Sequence, residues 1–339
     1  MLPIGKKLSR QNMNRVSIVI PVSGHASVTR LCLDTLFALV SGNGQFEHEV
    51  VVVDDGSPDE TPELLAGYGD LLTVVTNGSR QGFSAACNAG AAVATGDLLL
   101  FLNNDTVSEE NWARPLVRYA AENPQAAIVG ARLLYPNRTI QHAGVVICHD
   151  HVPRHIYRCF PAEHPAVMRS RPHRAVTAAC MLVRRSVFDE LGGFETSYTN
   201  GFEDVDLCLR ATTTLGYEVH YCHESVLVHL EAATRAPEGV DELYGPNLDL
   251  YRSRWGGLPP DDLLRYIEDG LLEIEYSDVY PLVFRVSALL ASTPEGPVVE
   301  PFDLLAVRSR QVFELLQENA VLRAQLGDKD YARTLIRGQ

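Results

Sequence analysis

The groups able to do chemistry in this sequence gather at four places. Asp54 and Asp55 end the apolar run EVVVVDD, Asn103, Asn104 and Asp105 end DLLLFLNND, Glu203, Asp204 and Asp206 crowd into NGFEDVDLCLRA, and His229 closes SVLVHL. A carboxylate just beyond a buried strand, as Asp105 is, can hold a hard divalent cation bridging a diphosphate, because oxygen ligands suit Mg2+ and Mn2+. Each place also has a plainer account. Asp, Gly, Ser and Pro dominate turns through local hydrogen bonds, Asp105 fits a helix cap, and a histidine at a strand end is commonly a satisfied core or edge residue. Acids at a helix start are stabilised by the helix dipole, and Asp206 with Arg210 fits an exposed i, i+4 pair. Glu203 and Asp204 point about 100° apart, so only one of them can face a substrate.

The elements that must position these groups follow a repeated grammar. VSIVIPV from Val16 is a β-branched strand, followed by helical spacing of Leu31, Leu33, Leu36 and Leu39; EVVVVDDGSP repeats it, with Pro62 just inside the next helix. LLTVVTN and DLLLFLNND supply a third and a fourth strand, and the Ala-rich GFSAACNAGAAVATG between them reads as a tightly packed helix. A helix is expected from about Glu109 to Glu122, with Thr106 and Glu109 as a capping box. Strands apolar along their length and alternating with helices imply a parallel sheet covered on both faces, whose ligands bind beyond the strands' carboxyl ends. Past Gly130 come the strand-like ARLLYPNRTIQHAGVVI, a long, partly irregular loop over 149–174, a strand in AVTAACMLV, a short helix in RSVFDEL, a helix from near Glu203 to Leu215, and one or two strands in YEVHYCHESVLVHLE.

Composition bounds the function. The chain has 339 residues, 46% of them hydrophobic, and a formal net charge of −14, which disfavours a nucleic-acid partner. Seven scattered cysteines, with no Cys-x-x-Cys pair, suggest neither a disulfide framework nor a zinc knuckle, and hence a reducing, cytoplasmic setting. The first 15 residues lack a signal-peptide core and no run approaches the roughly 20 apolar residues of a spanning helix, so neither secretion by that route nor membrane integration is expected. Peripheral attachment at the inner face of the membrane stays open. Residues 149–174 hold His149, His151 and His155, at no recognisable metal spacing, and the basic patch Arg154, Arg158, Arg169, Arg171 and Arg174, suited to a phosphorylated or lipid-diphosphate acceptor. From Phe302 to Leu326 a heptad pattern with Asn319 at a core position fits either a docked amphipathic helix or a short dimeric coiled coil.

The ordered stretches VSIVIPVSG, VVVDDGSPDET, RQGFSAACNAGAAVATGDLLLFLNNDT, TAACMLVRRSVFDELGGFE, NGFEDVDLCLRATTTLGYEVHYCHESVLVH and NLDLYRSRW resemble the nucleotide-sugar glycosyltransferases of family 2. The resemblance is closest to rhamnosyltransferase-like members acting on bacterial surface polysaccharides. It implies an α/β, GT-A fold: a Rossmann-like, mostly parallel central sheet with helices on both faces. The domain would span 16–255, with a nucleotide half at 16–130 and an acceptor half at 131–255, between an N-terminal tail at 1–15 and a helical C-terminal extension at 256–339.

By that resemblance Pro21, Val22, Asp54 and Asp55 line the nucleoside site, while Arg80, Gly82, Asn88 and Asn104 approach the nucleotide sugar. Asp105 looks like the metal-binding last acid of the family's D-x-D element, His229 like the second protein ligand to Mn2+ or Mg2+, and Asp204 like the catalytic base; Glu203 and Trp255 fall on the acceptor side. The implied reaction moves one sugar, with inversion, from a nucleoside-diphosphate donor, UDP or dTDP favoured, to a saccharide or lipid-linked saccharide acceptor in surface-glycan assembly. Two departures are notable. Asn103 and Asn104 leave a single carboxylate for the metal, and Tyr251 replaces the Gln of the processive enzymes' Q-x-x-R-W, which favours single-sugar transfer. A non-catalytic nucleotide-sugar-binding or scaffold module is the rival expectation. A nucleotidyltransferase is disfavoured because PVSGHASVTR has no Gly-rich phosphate loop with clustered Arg and Lys.

Overall fold

The structure, a computed structural model, describes residues 15–40, 46–110, 112–148, 150–199, 201–230, 240–275, 283–287 and 290. The heptad segment 302–326, residues 1–14 and His149 lie outside the described residues. Two compact units are present, one within Met1–Val146 and His151–Leu258, the other within Ile147–Asp150 and Pro259–Gln339.

In the first unit β1 (Arg15–Val22), α1 (Ala26–Val40), β2 (Glu47–Asp55), α2 (Thr61–Ala66), β3 (Thr73–Asn77), α3 (Phe83–Val93) and β4 (Leu98–Leu102) alternate as the apolar runs require. β1 pairs parallel with β2 and β4, and β2 with β3, so the strands' carboxyl ends share one edge. β4, buried at every position, lies inside the sheet, whereas β3 is the edge strand and is largely exposed.

The second half continues with β5 (Thr106–Ser108), α4 (Ala113–Glu122), β6 (Ala126–Leu134), β7 (Ile140–His142), β8 (Val145–Ile147), β9 (Pro153–His155), β10 (Arg171–Pro172), β11 (Cys180–Arg184), α5 (Arg185–Glu190), α6 (Glu203–Thr213), β12 (Glu218–His229) and α7 (Val240–Trp255). The main sheet runs β10-β12-β6-β11-β4-β1-β2-β3, with β5 on β12 and β7 on β6. β11 is antiparallel to both neighbours, and β12 runs parallel to β6 past an irregularity between Cys222 and Val226.

One local expectation is corrected. No helix begins at Glu109: Thr106 enters β5, its hydroxyl bonds the Asn103 carbonyl at 2.8 Å, Glu109 pairs with Arg138, and α4 starts at Ala113. A strand partner thus replaces the capping box. The segment after residue 149, expected to be a long, partly irregular loop, carries the short strands β9 and β10 and buries Ile156, Tyr157, Phe160 and Val167.

In the second unit, Asp261 exchanges two hydrogen bonds with the Ile147 backbone, at 2.8 and 2.9 Å, just before α8 (Asp262–Glu268). β13 (Leu272–Glu275) and β14 (Val283–Val286) then form an antiparallel pair, so the extension is not wholly helical. Among the described residues no helix is long and apolar enough to cross a membrane.

The loops at the carboxyl edge of β1, β2 and β3 are tied together by side-chain oxygens. The Gly24 amide donates to Ser57 Oγ at 2.7 Å, the Ala26 amide to Asp59 Oδ2 at 3.1 Å, and the Ser57 amide to Asp54 Oδ1 at 2.9 Å. Asp55 Oδ1 accepts from Asn77 Nδ2 at 2.7 Å and from the Gln81 amide at 2.8 Å, while Oδ2 accepts from the Gly82 amide at 2.8 Å. One buried carboxylate therefore shapes the whole turn from β3 into α3. Gly56, at φ +71°, lets this turn approach: a Cβ there would lie 2.7 Å from the Arg80 nitrogen.

Two substitutions test this edge. A Cβ on Gly90 would fall 2.5 Å from Val19 Cγ1 and 2.9 Å from Val53 Cγ2, and β-branched valines rotate poorly. Despite the better helix propensity of alanine, Gly90→Ala is expected to cost about 1–2 kcal/mol in denaturant unfolding; a stabilised variant would contradict this packing. Asp55→Asn turns one acceptor into a donor against backbone amides and is expected to cost about 1–3 kcal/mol, with proteolysis rising near residues 77–82. Unchanged stability would mean the turn holds without the carboxylate.

Candidate active site

The pairing of β5 with β12 sets His229 opposite Thr106, the residue after Asp105. Residues 124 apart in sequence thereby meet, with His229 Nε2 lying 2.9 Å from Asp105 Oδ1. Both are mostly enclosed, at 12% and 4% side-chain exposure, where a charge requires a partner. His229 Nδ1 faces Gln141 Oε1 at 2.8 Å. The Asp105 carbonyl also accepts the Leu230 amide at 2.9 Å, which locks the backbone of the corner.

A carboxylate oxygen and an imidazole nitrogen converging in this way form a donor set suited to Mn2+ or Mg2+. Asn103 Oδ1 is buried and without a hydrogen-bond partner among the described residues, an oxygen that calls for a further polar group. No group of three or more His, Cys, Asp or Glu among the described residues could hold a metal by itself. The residues present therefore fit a cation that shares its coordination with phosphate oxygens and water. Asn104 faces elsewhere, its amide donating to Thr29 Oγ1 on α1 at 2.9 Å.

Asp204 lies in the first turn of α6. Its Oδ2 accepts the Ala178 amide at 3.0 Å and Oδ1 its neighbour Val205's amide at 2.8 Å. Burial raises the carboxyl's pKa above the ordinary Asp value of 3.8, against the lowering by these amides and the Thr177 hydroxyl. Burial, not the helix dipole, thus sets the direction, which improves Asp204 as a proton acceptor. Asn103 donates its amide to the Ala179 carbonyl at 3.0 Å. Residues 177–179 are therefore bonded to the Asp105 loop on one side and to Asp204 on the other.

Asp206 is fully buried, which corrects the expected exposed pair with Arg210. It accepts Arg210 Nε at 2.7 Å, Trp255 Nε1 at 2.9 Å and Arg254 at 3.4 Å. Trp255 and Arg254, from the RSRW element, clamp α7 onto α6 through this carboxylate. Arg254 also holds Glu195 at 2.8 Å, pulling its pKa down to about 2. At the start of α6, Phe202 adopts φ 72°, rare for a bulky residue, and stacks on Tyr251 at 5.4 Å. Glu203 is buried beside it.

The remaining expected residues divide by role. Pro21 and Val22 close β1 alongside Val53 and Asp54, and Arg80 is exposed on the turn that Asp55 anchors, with Gly82 at the start of α3. Asn88 spends both ends of its amide on the Phe194 backbone, at 2.9 Å each, and so fixes α3 to the turn before α6. Arg158 and Arg171 donate to the Tyr135 and Tyr157 hydroxyls within their own region. Sequence reasoning missed Gln141, and its one signal was a glutamine between Ile140 and His142 in the strand-like stretch TIQHAGVVI.

Comparison with known proteins bears on the family and the fold. Residues 17–192 match the family model described as glycosyl transferase family 2. The chain is 34% identical over 280 residues to the O-antigen biosynthesis protein RfbC of Myxococcus xanthus, covering 76% of this chain and 21% of that one. It spans only about a quarter of the length of the first curated relatives it matches. The mannosyltransferase PcManGT of Pyrobaculum calidifontis, in complex with GDP-Man and Mn2+, shares the fold at TM-score 0.54 and 19% identity, over 96% of this chain and 84% of that one. GalNAc-T7 with UDP, GalNAc and Mn2+ gives TM-score 0.54 and 17% identity, over 77% and 55% of the two chains. With this GT-A fold and the family model matching more than half its length, the chain belongs to glycosyltransferase family 2.

Proposed function

We propose that this glycosyltransferase moves a single sugar, with inversion, from a nucleoside-diphosphate sugar to a hydroxyl of a saccharide or lipid-linked saccharide, in the assembly of a bacterial surface glycan at the cytoplasmic face of the membrane. The observation that carries the reading is the 2.9 Å convergence of Asp105 and His229 in a loop bonded through residues 177–179 to Asp204. The name of the RfbC relative supports the surface-glycan setting.

In this mechanism the loops closed by Asp54 and Asp55 seat the nucleoside, with Arg80 beside them. Asp105 and His229 would hold Mn2+ or Mg2+, which when bound offsets the charge that develops on the departing diphosphate. Asp204 accepts the proton of the acceptor hydroxyl as its oxygen bonds to the anomeric carbon and the bond from that carbon to the diphosphate breaks. The buried, raised carboxyl of Asp204 and its fixed hydrogen bonds make positioning a large part of the rate. UDP and dTDP sugars are the favoured donors, and Tyr251 in place of Gln supports one transfer per encounter.

A turnover screen with UDP, dTDP and GDP sugars, with and without Mn2+, tests the reading. The expected result is metal-dependent transfer, a product of inverted anomeric configuration by proton NMR, and a loss of about 10²–10⁴-fold in kcat for Asp204→Asn with donor binding kept. A retained configuration would overturn the mechanism, and donor binding without turnover would favour the scaffold module instead. Because Asp204 must be ionised to act, kcat/KM is expected to fall as pH drops through its raised pKa, with the acid limb above 3.8. An acid limb at or below the ordinary Asp value would remove Asp204 from the role.

A further inference from the structure

We infer that Gln141 is a positioning residue that prepares His229 as a metal ligand by accepting its Nδ1 proton and leaving the Nε2 lone pair toward Asp105. The inference rests on the reading of Asp105 and His229 as the cation-holding pair. The two ring nitrogens of His229 both face oxygens, Gln141 Oε1 at 2.8 Å and Asp105 Oδ1 at 2.9 Å. A neutral imidazole carries a single N–H, and neither a carboxylate oxygen nor an amide oxygen can donate. If Nε2 carries the proton, that proton lies against Asp105 and the nitrogen has no lone pair to offer. If Nδ1 carries it, Nε2 is a ligand, and this arrangement needs an acceptor at Nδ1. Gln141 Oε1 is that acceptor.

The fold builds this contact with a specific irregularity. β7 pairs with β6 as Leu133 opposite His142 and Leu134 opposite Ile140, so Gln141 is the extra residue of a β-bulge. Bulges re-aim one side chain of a strand, and they recur next to active sites. Gln141 is 2% exposed, a costly place for an amide unless its polar atoms are used. The bulge is braced as well: the Gln141 carbonyl lies 3.3 Å from His155 Nδ1, and the His155 ring stands edge-on to His142 at 4.6 Å. A strand that merely completed the sheet would need neither the bulge nor the buried amide.

The test measures Mn2+ affinity, not activity, from the electron paramagnetic resonance signal of the free ion, with UDP and separately with GDP present. Wild type, Asp105→Ala, Gln141→Leu, Gln141→Met and Gln141→Glu are compared, with melting temperature and metal-free nucleotide affinity read on each. Gln141→Leu and Gln141→Met, which lack an acceptor, are expected to weaken Mn2+ about 10–100-fold while metal-free nucleotide affinity stays unchanged. Gln141→Glu, which keeps an acceptor oxygen, is expected to retain Mn2+. Should Asp105→Ala lose Mn2+ while the folded Leu or Met variant binds it as wild type does, the inference fails and the metal reading survives. A Glu variant as weak as Leu also overturns it. Equal Mn2+ binding by wild type and Asp105→Ala would sink the metal reading itself, and the inference with it.

Discussion

Three residues of backbone pairing hold the candidate active site together. β5 is only Thr106–Ser108, yet its antiparallel register on β12 is what brings His229 to Asp105. Without that register the end of β12 and the loop after β4 would be separate sheet ends with unrelated chemistry. The register also encloses Asp105, a carboxylate at 4% side-chain exposure whose charge a bound cation would offset on the proposed reading.

The second half of the site is aligned to the first by shared backbone. Residues 177–179 bond Asn103 with one carbonyl and Asp204 with one amide, so a shift of α6 would be felt in the Asp105 loop. α6 is in turn held by Asp206, whose carboxylate gathers Arg210, Trp255 and Arg254. Asp206 is thus a structural anion inside a cluster of acids in which Asp204 is the base on the proposed reading. The difference between them is what surrounds each: Asp206 meets guanidinium and indole donors, while Asp204 meets backbone amides, the Thr177 hydroxyl and burial that raises its pKa. A carboxylate neutralised by arginine would be a poor base. Neighbouring acids on one helix are separated by their partners into an anchor and, on the proposed reading, a base.

Much of this architecture is legible from residue order because the signals are local. β1, β2 and β4 announce themselves as apolar runs stopping at polar residues, and the sheet edge follows from the rule that ligands bind at the carboxyl ends of parallel strands. What the sequence conceals is set by partners far along the chain. Thr106 and Glu109 have the spacing of a capping box, but Thr106 finds β12 instead, 120 or so residues away in the register with His229. Asp206 and Arg210 have the spacing of a surface pair, and only Trp255 and Arg254 reveal that the pair is buried. Asn88 has the look of a ligand contact until Phe194 takes both ends of its amide. Gln141 depends on a one-residue bulge, which hydrophobic periodicity cannot register.

The single carboxylate at the proposed metal corner then has a physical logic. With Asn104 bound to Thr29 and Asn103 supplying a neutral oxygen, Asp105 is the one anionic side chain of the Asn-Asn-Asp turn. A cation held there by one charge and one imidazole would be bound weakly on its own and would gain most of its affinity from the diphosphate it shares. Such a site favours arrival of the cation with its nucleotide and departure with the product, since loss of the phosphate oxygens removes most of the attraction. A second fixed carboxylate would tighten the resting site and slow that exchange. Precise placement of the two protein ligands then matters more, because little excess charge remains to compensate for a misaligned ring, and that demand is what a buried glutamine on a bulge is built to meet.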